Sequence, residues 1–264
     1  MRWCGRTQKV EEGKLLTSGS GTVETLATPS FQLFGQQHLS AVFVVAALAA
    51  LVGCFGRSVS EPGRPWVRGF LALLLVGYAA AAYWRLYRLG YPWTAYLPLH
   101  LCDLLLFPAL FALWRPRPLS FELTYYFGMA GALPAMVTPD LRQGFPSFPF
   151  FHFFWGHGAL LLTVTWLIAV EGMRPRPGAV FRMLLAGNLY IAVVGLIDLA
   201  FGLNYGYLCR PPAGRSLIDF LGPWPWYLLS VELLAALLFC LLDLPWRLPR
   251  KLSRPVQPQP LSPP

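Results

Sequence analysis

The chain has 264 residues, of which 56% are hydrophobic and only 12% are charged, and its mean hydropathy is +0.50. About a quarter of the residues of a soluble domain are charged, so this composition excludes an ordinary soluble protein and indicates an integral membrane protein. The net charge of +9 does not predict binding to nucleic acid, because the basic residues lie in short connections and tails rather than along one face. Such spacing is typical of contacts with anionic lipid headgroups.

The two ends of the chain differ in composition from the segment between them. Residues 1–30 are polar and rich in Gly, Ser and Thr, which predicts a disordered tail. Residues 247–264 are basic and then rich in proline, which predicts a second tail. Residues 31–246 therefore form the predicted membrane domain.

Seven apolar runs divide this domain, and each has roughly the twenty residues that a helix needs to cross a bilayer. Inside a bilayer each segment must satisfy its own backbone hydrogen bonds, so the runs predict an all-α protein with seven transmembrane helices. Pro98 and Pro108 predict kinks in the third helix. The runs cover approximately 38–55, 66–87, 95–114, 119–138, 149–170, 181–203 and 224–245.

The orientation follows from the distribution of basic residues. The connections after the first, third and fifth helices and the C-terminal tail contain twelve Arg and Lys residues, whereas the other connections contain five. Basic residues accumulate on the cytoplasmic side, so we expect a multi-pass protein of the cell membrane with its C-terminus in the cytoplasm and its N-terminus outside. Glu122 and Glu171 are expected at the cytoplasmic interface. The twelve basic residues are Arg57, Arg64, Arg68, Arg115, Arg117, Arg174, Arg176, Arg182, Arg247, Arg250, Lys251 and Arg254.

Ionisable residues recur near the predicted outer ends of the helices, which indicates a functional site in an outward-facing polar cavity, because buried charge in a bilayer is costly. His100 and Asp103 are three residues apart, so they share a helix face and could also pair for structural reasons alone. Gly156 and Gly158 flank His157 and favour either close helix packing or space for a substrate. The residues at this level are His38, His100, Asp103, His157, Asp198 and Glu232.

The connections on the predicted outer side are long and polar, and we expect them to contact a substrate. Arg215 beside Ser216 could bind a phosphate or carboxylate. The aromatic segment 224–227 could equally be an interfacial anchor, as could His152, which lies among five phenylalanines. The substrate-binding candidates are His38, Asp140, Asp198, Asn204, Tyr205, Arg215, Trp224, Trp226 and Glu232.

Several short motifs, in their order and spacing, resemble the bacterial YwaF-like integral membrane proteins, which are distant relatives of the animal transmembrane protein 164 family. The resemblance covers roughly residues 31–245. The motifs are Phe31–Phe34 with His38, Leu97–Cys102, Thr138–Asp140 with Gly144–Pro146, Phe154–Gly158, Asn204–Leu208, Ser216–Asp219 and Gly222–Tyr227.

The resemblance implies lipid acyl chemistry, because the animal relatives are described as lipid acyltransferases that use a cysteine and a histidine. Their Pro-Cys-His motif falls on Pro98-Leu99-His100, and their second histidine falls on His157. Leu99 cannot supply the thiolate nucleophile of that mechanism. Cys102, three residues further along the predicted helix, could face the same cavity or could simply be a small packing residue.

We therefore expect an enzyme that transfers or hydrolyses the acyl group of a membrane lipid, without a cofactor or metal. His100 and His157 would act as general base and as oxyanion or headgroup contact, with Asp103 or Asp198 orienting a ring and Cys102 as a candidate nucleophile.

Two alternatives use the same polar groups. One is a transporter or ligand-binding membrane protein, although the chain has no internal repeat of the kind that many carriers show. The other is a metal site formed by His38, His100 and His157 with a carboxylate; three imidazoles suit zinc, but no HExxH-type spacing supports it.

Overall fold

A computed structural model describes residues 29–211 and 220–248. Within these ranges the regular structure is helical, apart from an isolated antiparallel bridge between Ser30 and Gln143. Arg215 and most of both predicted tails lie outside the described residues. The helices are α1 Gln36–Phe55, α2 Arg64–Arg88, α3 Leu101–Leu104, α4 Leu106–Trp114, α5 Pro118–Val137, α6 Phe148–Ala169, α7 Ala179–Phe201 and α8 Trp226–Arg247.

Five of the described helices, α1, α2, α6, α7 and α8, are long and apolar enough to cross a membrane. The predicted all-α class and the membrane embedding are therefore confirmed. The other two predicted spans correspond to α5 and to the shorter apolar segment Leu101–Trp114. The count of seven transmembrane helices remains a prediction.

Helix α6 lies at the centre of the bundle and packs against α1, α2, α4 and α5. In its most apolar stretch 61% of the residues are buried, whereas in the corresponding stretches of α1, α2, α7 and α8 only 11% of the residues are buried. Helix α5 packs beside it and buries the polar side chains of Glu122 and Thr124. Polar groups in membrane segments are tolerated where they face protein, which explains why α5 is the least apolar of the predicted runs.

The third predicted helix is broken at both of its prolines. Leu97 precedes Pro98 and is extended, with φ −71° and ψ 126°, because a following proline disfavours the helical conformation. The helix therefore begins only at Leu101. It is interrupted after Leu104, because the ring of Pro108 would clash with the carbonyl of Leu104, four residues earlier.

This break corrects the predicted position of two site residues. His100 is the N-cap of α3, with φ −65° and ψ 141°, and does not lie inside the continuous helix that was expected over residues 95–114. Cys102 lies in the first turn of α3, so Leu99 and Cys102 do not share one helix as the sequence predicted.

Three of the described basic residues predicted at the cytoplasmic side, Arg68, Arg176 and Arg182, form ion pairs at the end of the bundle opposite the histidines. The carboxylate of Glu122 is fully buried and accepts hydrogen bonds from Arg176 and Arg182 at 2.8–3.1 Å. Glu171 pairs with Arg68 at 2.5 Å. These pairs fix the connection between α6 and α7 against α5 and α2.

Candidate functional site

The candidate site is centred on Asp103, a half-buried residue in the first turn of α3. Its Oδ1 accepts a hydrogen bond from the hydroxyl of Tyr78 on α2 at 3.4 Å. Its charge interacts with the imidazoles of His100, His152 and His157, which come from the start of α3 and from α6. We call these five residues the Asp103 cluster.

Tyr78 joins α2 to α6 beside Asp103. Its ring stacks on His152 with 4.2 Å between the ring centroids, and the Nε2–H of His152 donates to the carbonyl of Tyr78 at 3.2 Å. A Cβ at Gly156 would overlap the Tyr78 ring. This contact favours the packing interpretation of Gly156, which allows α2 and α6 to approach closely enough to form the cluster.

The hydrogen bonds of His157 define its tautomer. Its Nδ1 lies 2.8 Å from the carbonyl oxygen of Phe153, which can only accept, so Nδ1 carries the proton. In the neutral ring, Nε2 then has the lone pair. His157 therefore offers a hydrogen-bond acceptor and a potential base close to Asp103.

His100 has the opposite arrangement. Its Nδ1 accepts from the backbone N–H of Gly206 at 3.4 Å, so in the neutral ring Nε2 carries the proton. The ring packs edge-on against Tyr205 at 4.9 Å between centroids and is largely exposed. The cluster thus combines one imidazole whose Nε2 donates with another whose Nε2 accepts.

Asp198 near the end of α7 shapes the loop that holds His100. Its side chain is fully buried, and its Oδ1 accepts from the backbone N–H of Tyr205 at 3.0 Å. The charges of Asp198 and His100 also interact. Asp198 Oδ2 has no hydrogen-bond partner within the described part of the chain. Asn204 closes the same loop, since its Oδ1 accepts from the backbone of Cys209 and Arg210 at 3.1 and 3.0 Å.

Tyr205 completes the contact between this loop and α3. Its hydroxyl donates to the carbonyl of Thr94, in the segment that leads into α3. Burial, together with the charges of Asp103 and Asp198, raises the pKa of Tyr205. The phenol therefore remains protonated and acts as a donor.

His38 lies apart from the cluster and has a structural set of contacts. It is 1% exposed, its Nδ1 accepts from the backbone N–H of Phe34 at 3.0 Å, and its Nε2–H donates to the carbonyl of Met136 at 2.8 Å. Met136 is in the last turn of α5, where helix carbonyls lack partners within the helix. His38 therefore joins the start of α1 to the end of α5.

These contacts weaken the zinc alternative, because both ring nitrogens of His38 are already occupied. In residues 29–211 and 220–248, no group of three or more His, Cys, Asp or Glu side chains is arranged to hold a metal ion.

The remaining candidates lie in different surroundings. Glu232 accepts a hydrogen bond from the side chain of Asn188 on α7. Trp224 donates through Nε1 to the carbonyl of Leu208 at 3.0 Å, and both Asp140 and Trp226 are exposed. Cys102 is half-buried in the first turn of α3.

Two largely apolar cavities flank the bundle core. The first has a volume of about 590 Å³ between α1, α2 and α6, and the second has about 270 Å³ between α5, α7 and α8. Glu232 lines the second cavity. The outward-facing polar cavity expected from the sequence remains a prediction.

Sequence reasoning did not identify Tyr78 and placed His152 in an interfacial belt. Tyr78 carries no charge and lies in the middle of an apolar helix, so its sequence neighbours do not mark it. Its role depends on Gly156, which is distant in the chain. The available signal was a second histidine on α6, His152, which is flanked by aromatic residues and lies five positions before His157.

The apolar helices and the polar cluster between them define a multi-pass integral membrane protein. Residues 33–243, most of the chain, match the TMEM164 family, and the chain belongs to that family. The resemblance to this family is thus confirmed, whereas the narrower YwaF-like grouping remains a prediction. No curated protein and no solved structure matches the chain.

Proposed function

We propose that this protein is a membrane-embedded enzyme that hydrolyses or transfers the acyl group of a lipid ester, with the Asp103 cluster as its active site. The observation that carries the proposal is the complementary hydrogen bonding of two imidazoles beside one carboxylate. His157 has its Nε2 lone pair available, whereas His100 has its Nε2–H available. Ester cleavage requires such a base and such a donor.

In the proposed reaction, His157 Nε2 takes the proton of an attacking hydroxyl, either water or an acceptor alcohol, as its oxygen bonds to the ester carbonyl carbon. The Nε2–H of His100 donates to the carbonyl oxygen, which becomes negatively charged. The tetrahedral intermediate then expels the original alcohol, which receives the proton from His157. Asp103 stabilises the transient imidazolium by its charge, and Tyr78 orients Asp103.

Cys102 is the alternative nucleophile. As a thiolate it would form an acyl-enzyme that the same hydroxyl then cleaves. Its position in the first turn of α3, beside Asp103, supports this route. The route requires a thiolate, whereas attack by water or an alcohol requires only the neutral base of His157.

The substrate proposed for this site is a phospholipid or another acyl-lipid of the cell membrane. Asn204, Tyr205 and Asp198 would shape the headgroup side through the loop next to His100. The proposed topology keeps the C-terminus in the cytoplasm and the N-terminus outside, because the ion-paired, arginine-rich end of the bundle lies opposite the cluster.

The proposal is tested with the full chain in lipid nanodiscs that contain a phospholipid with isotope-labelled acyl chains. Mass spectrometry then measures labelled fatty acid and newly acylated lipid. His157→Gln and His100→Gln should lower turnover by about 10²- to 10⁴-fold, the usual contribution of a general acid or base. Glu61→Gln, an exposed carboxylate change beside Arg64, should retain wild-type turnover.

Wild-type turnover in both histidine variants would contradict the enzyme proposal. Binding of the labelled lipid without any turnover in the wild type would favour the ligand-binding alternative.

A further inference from the structure

The larger cavity forms an elongated groove between α1, α2 and α6, with a volume of about 590 Å³. Small-molecule sites typically have volumes of about 300–1,000 Å³. Val44 and Leu48 line the groove and are exposed, as is Phe151 on α6, so the groove opens toward the surroundings of the bundle. In a membrane these surroundings are lipid.

The groove and the Asp103 cluster share no residue. On α6 the lining is centred on Phe151, Trp155 and Leu162, which recur at helical spacing. With about 100° of rotation per residue, His157 lies about 140° from their centre and His152 lies about 80° from it. Neither histidine lines the groove, so a substitution of His157 changes the proposed active site and leaves the lining unchanged.

The depth of the groove corresponds to one leaflet. On α1 it extends from Gln36 to Leu48, which is about 18 Å at the rise of an α-helix. The hydrocarbon core of a bilayer is about 30 Å thick, so one leaflet contributes about 15 Å. A single extended acyl chain that enters from one side of the membrane fits this length.

The chemistry of the lining changes along the groove. Gln36, Gln37 and Ser40 line the end at the start of α1, and the lining toward Leu48 is apolar. None of the described lining residues is charged. Uncharged amide and hydroxyl groups suit the ester carbonyls next to a glycerol backbone better than they suit a phosphate.

The groove has packed walls. Gly158 forms part of it, and a Cβ added there would meet Val45 of α1 at 3.1 Å. Phe150, Phe154 and Val45 belong to one buried apolar cluster behind this wall. The concavity is therefore built into the packing of α1 against α6 and is not a gap between loose side chains.

We propose that this groove is a binding site for one acyl chain of a membrane glycerophospholipid, with the ester region of the glycerol beside Gln36 and Ser40. The chain lies along α1 and α6, and its end reaches Leu48 and Leu162. The bound lipid completes the surface between α1, α2 and α6.

The experiment uses the full chain in nanodiscs of phosphatidylcholine that carries a photoreactive diazirine at the end of one acyl chain. After irradiation, peptide mass spectrometry should locate the label near Leu48 and Leu162. Moving the diazirine close to the ester should shift the label toward Ser40. Val44→Trp, which fills the groove from an exposed position, should reduce this labelling severalfold.

Phe43→Trp is the matched control, because Phe43 is 72% exposed on the same helix and does not line the groove. It should leave the labelling unchanged, as should His157→Gln, which tests the active site only. Leu48→Trp provides a second filling variant if Val44→Trp does not fold.

Labelling spread evenly over the exposed faces of α1 and α7, and insensitive to both filling variants, would overturn the proposal. Absence of lipid label together with protein–protein cross-links across the groove would also overturn it, since a second copy would then occupy the groove.

Discussion

The carboxylate of Glu122 on α5 binds the guanidinium of Arg176 through two parallel hydrogen bonds, Nε to Oε1 at 3.0 Å and Nη2 to Oε2 at 2.9 Å. The backbone N–H of Arg176 donates to the same Oε1 at 3.0 Å. Arg182 binds the carboxylate from the start of α7. A fully buried carboxylate thus has its acceptor positions filled by one loop and one helix, which is what its burial requires.

Replacing Glu122 by alanine should therefore destabilise the protein. We expect a loss of about 3 kcal/mol, the lower end of the range for breaking a buried pair, because both arginines are partly exposed. Thermal unfolding in detergent measures the effect. Glu61→Ala, which removes an exposed pair with Arg64, should change the melting temperature very little, and equal melting temperatures for both variants would contradict this role of Glu122.

His38→Ala should lower stability while leaving the chemistry of the Asp103 cluster intact. The variant removes both ring hydrogen bonds of a buried side chain and leaves the Met136 carbonyl without its partner, which costs about 1–3 kcal/mol. The measurement compares melting temperature with turnover per folded molecule. A variant that melts normally and loses turnover would instead assign His38 to the reaction.

Gly156→Ala should separate α2 from α6, because the new methyl group overlaps the ring of Tyr78. We expect lower stability and lower turnover, with partial recovery of stability in the double variant Gly156→Ala, Tyr78→Leu. Gly131→Ala is the control, since nothing lies within 4 Å of the position of its Cβ. Equal effects of the two glycine substitutions would show that close packing at Tyr78 is not what Gly156 provides.

The predicted topology is tested by reporters fused to the C-terminus. The arginine-rich end of the bundle predicts a cytoplasmic C-terminus, so a reporter that works only in the cytoplasm should be active there. Activity of a reporter that requires the external side would reverse the orientation.

The sequence predicted the helical class because apolar runs of membrane-spanning length leave few alternatives. It also predicts that His100, Asp103 and His157 belong to one site, since intramembrane charge is rare, and this assignment stays a prediction. It could not predict the partners of these residues. The position of His100 at a helix start depends on how Pro98 and the loop after α7 meet, and the buried state of Glu122 depends on arginines more than fifty residues away.

The structural role of His38 could not be predicted from the sequence. In the sequence it resembles His100 and His157, which also lie near predicted outer helix ends, but its two backbone partners come from a turn before α1 and from the last turn of α5. The residues around His38 in the sequence do not reveal its contact with Met136, which is 98 residues away in the chain. Tyr78, by contrast, was not singled out in the sequence, yet its hydroxyl donates to Asp103 and its ring packs against Gly156.

The most direct test of the account is chemical rescue of the general base. His157→Ala in nanodiscs with a labelled phospholipid should lose turnover, and added imidazole should restore part of it, because the small ring can occupy the vacated position and accept the same proton. The matched His38→Ala variant should show no such rescue. Full turnover of His157→Ala without imidazole would contradict the assignment of His157 and, with it, the proposed active site.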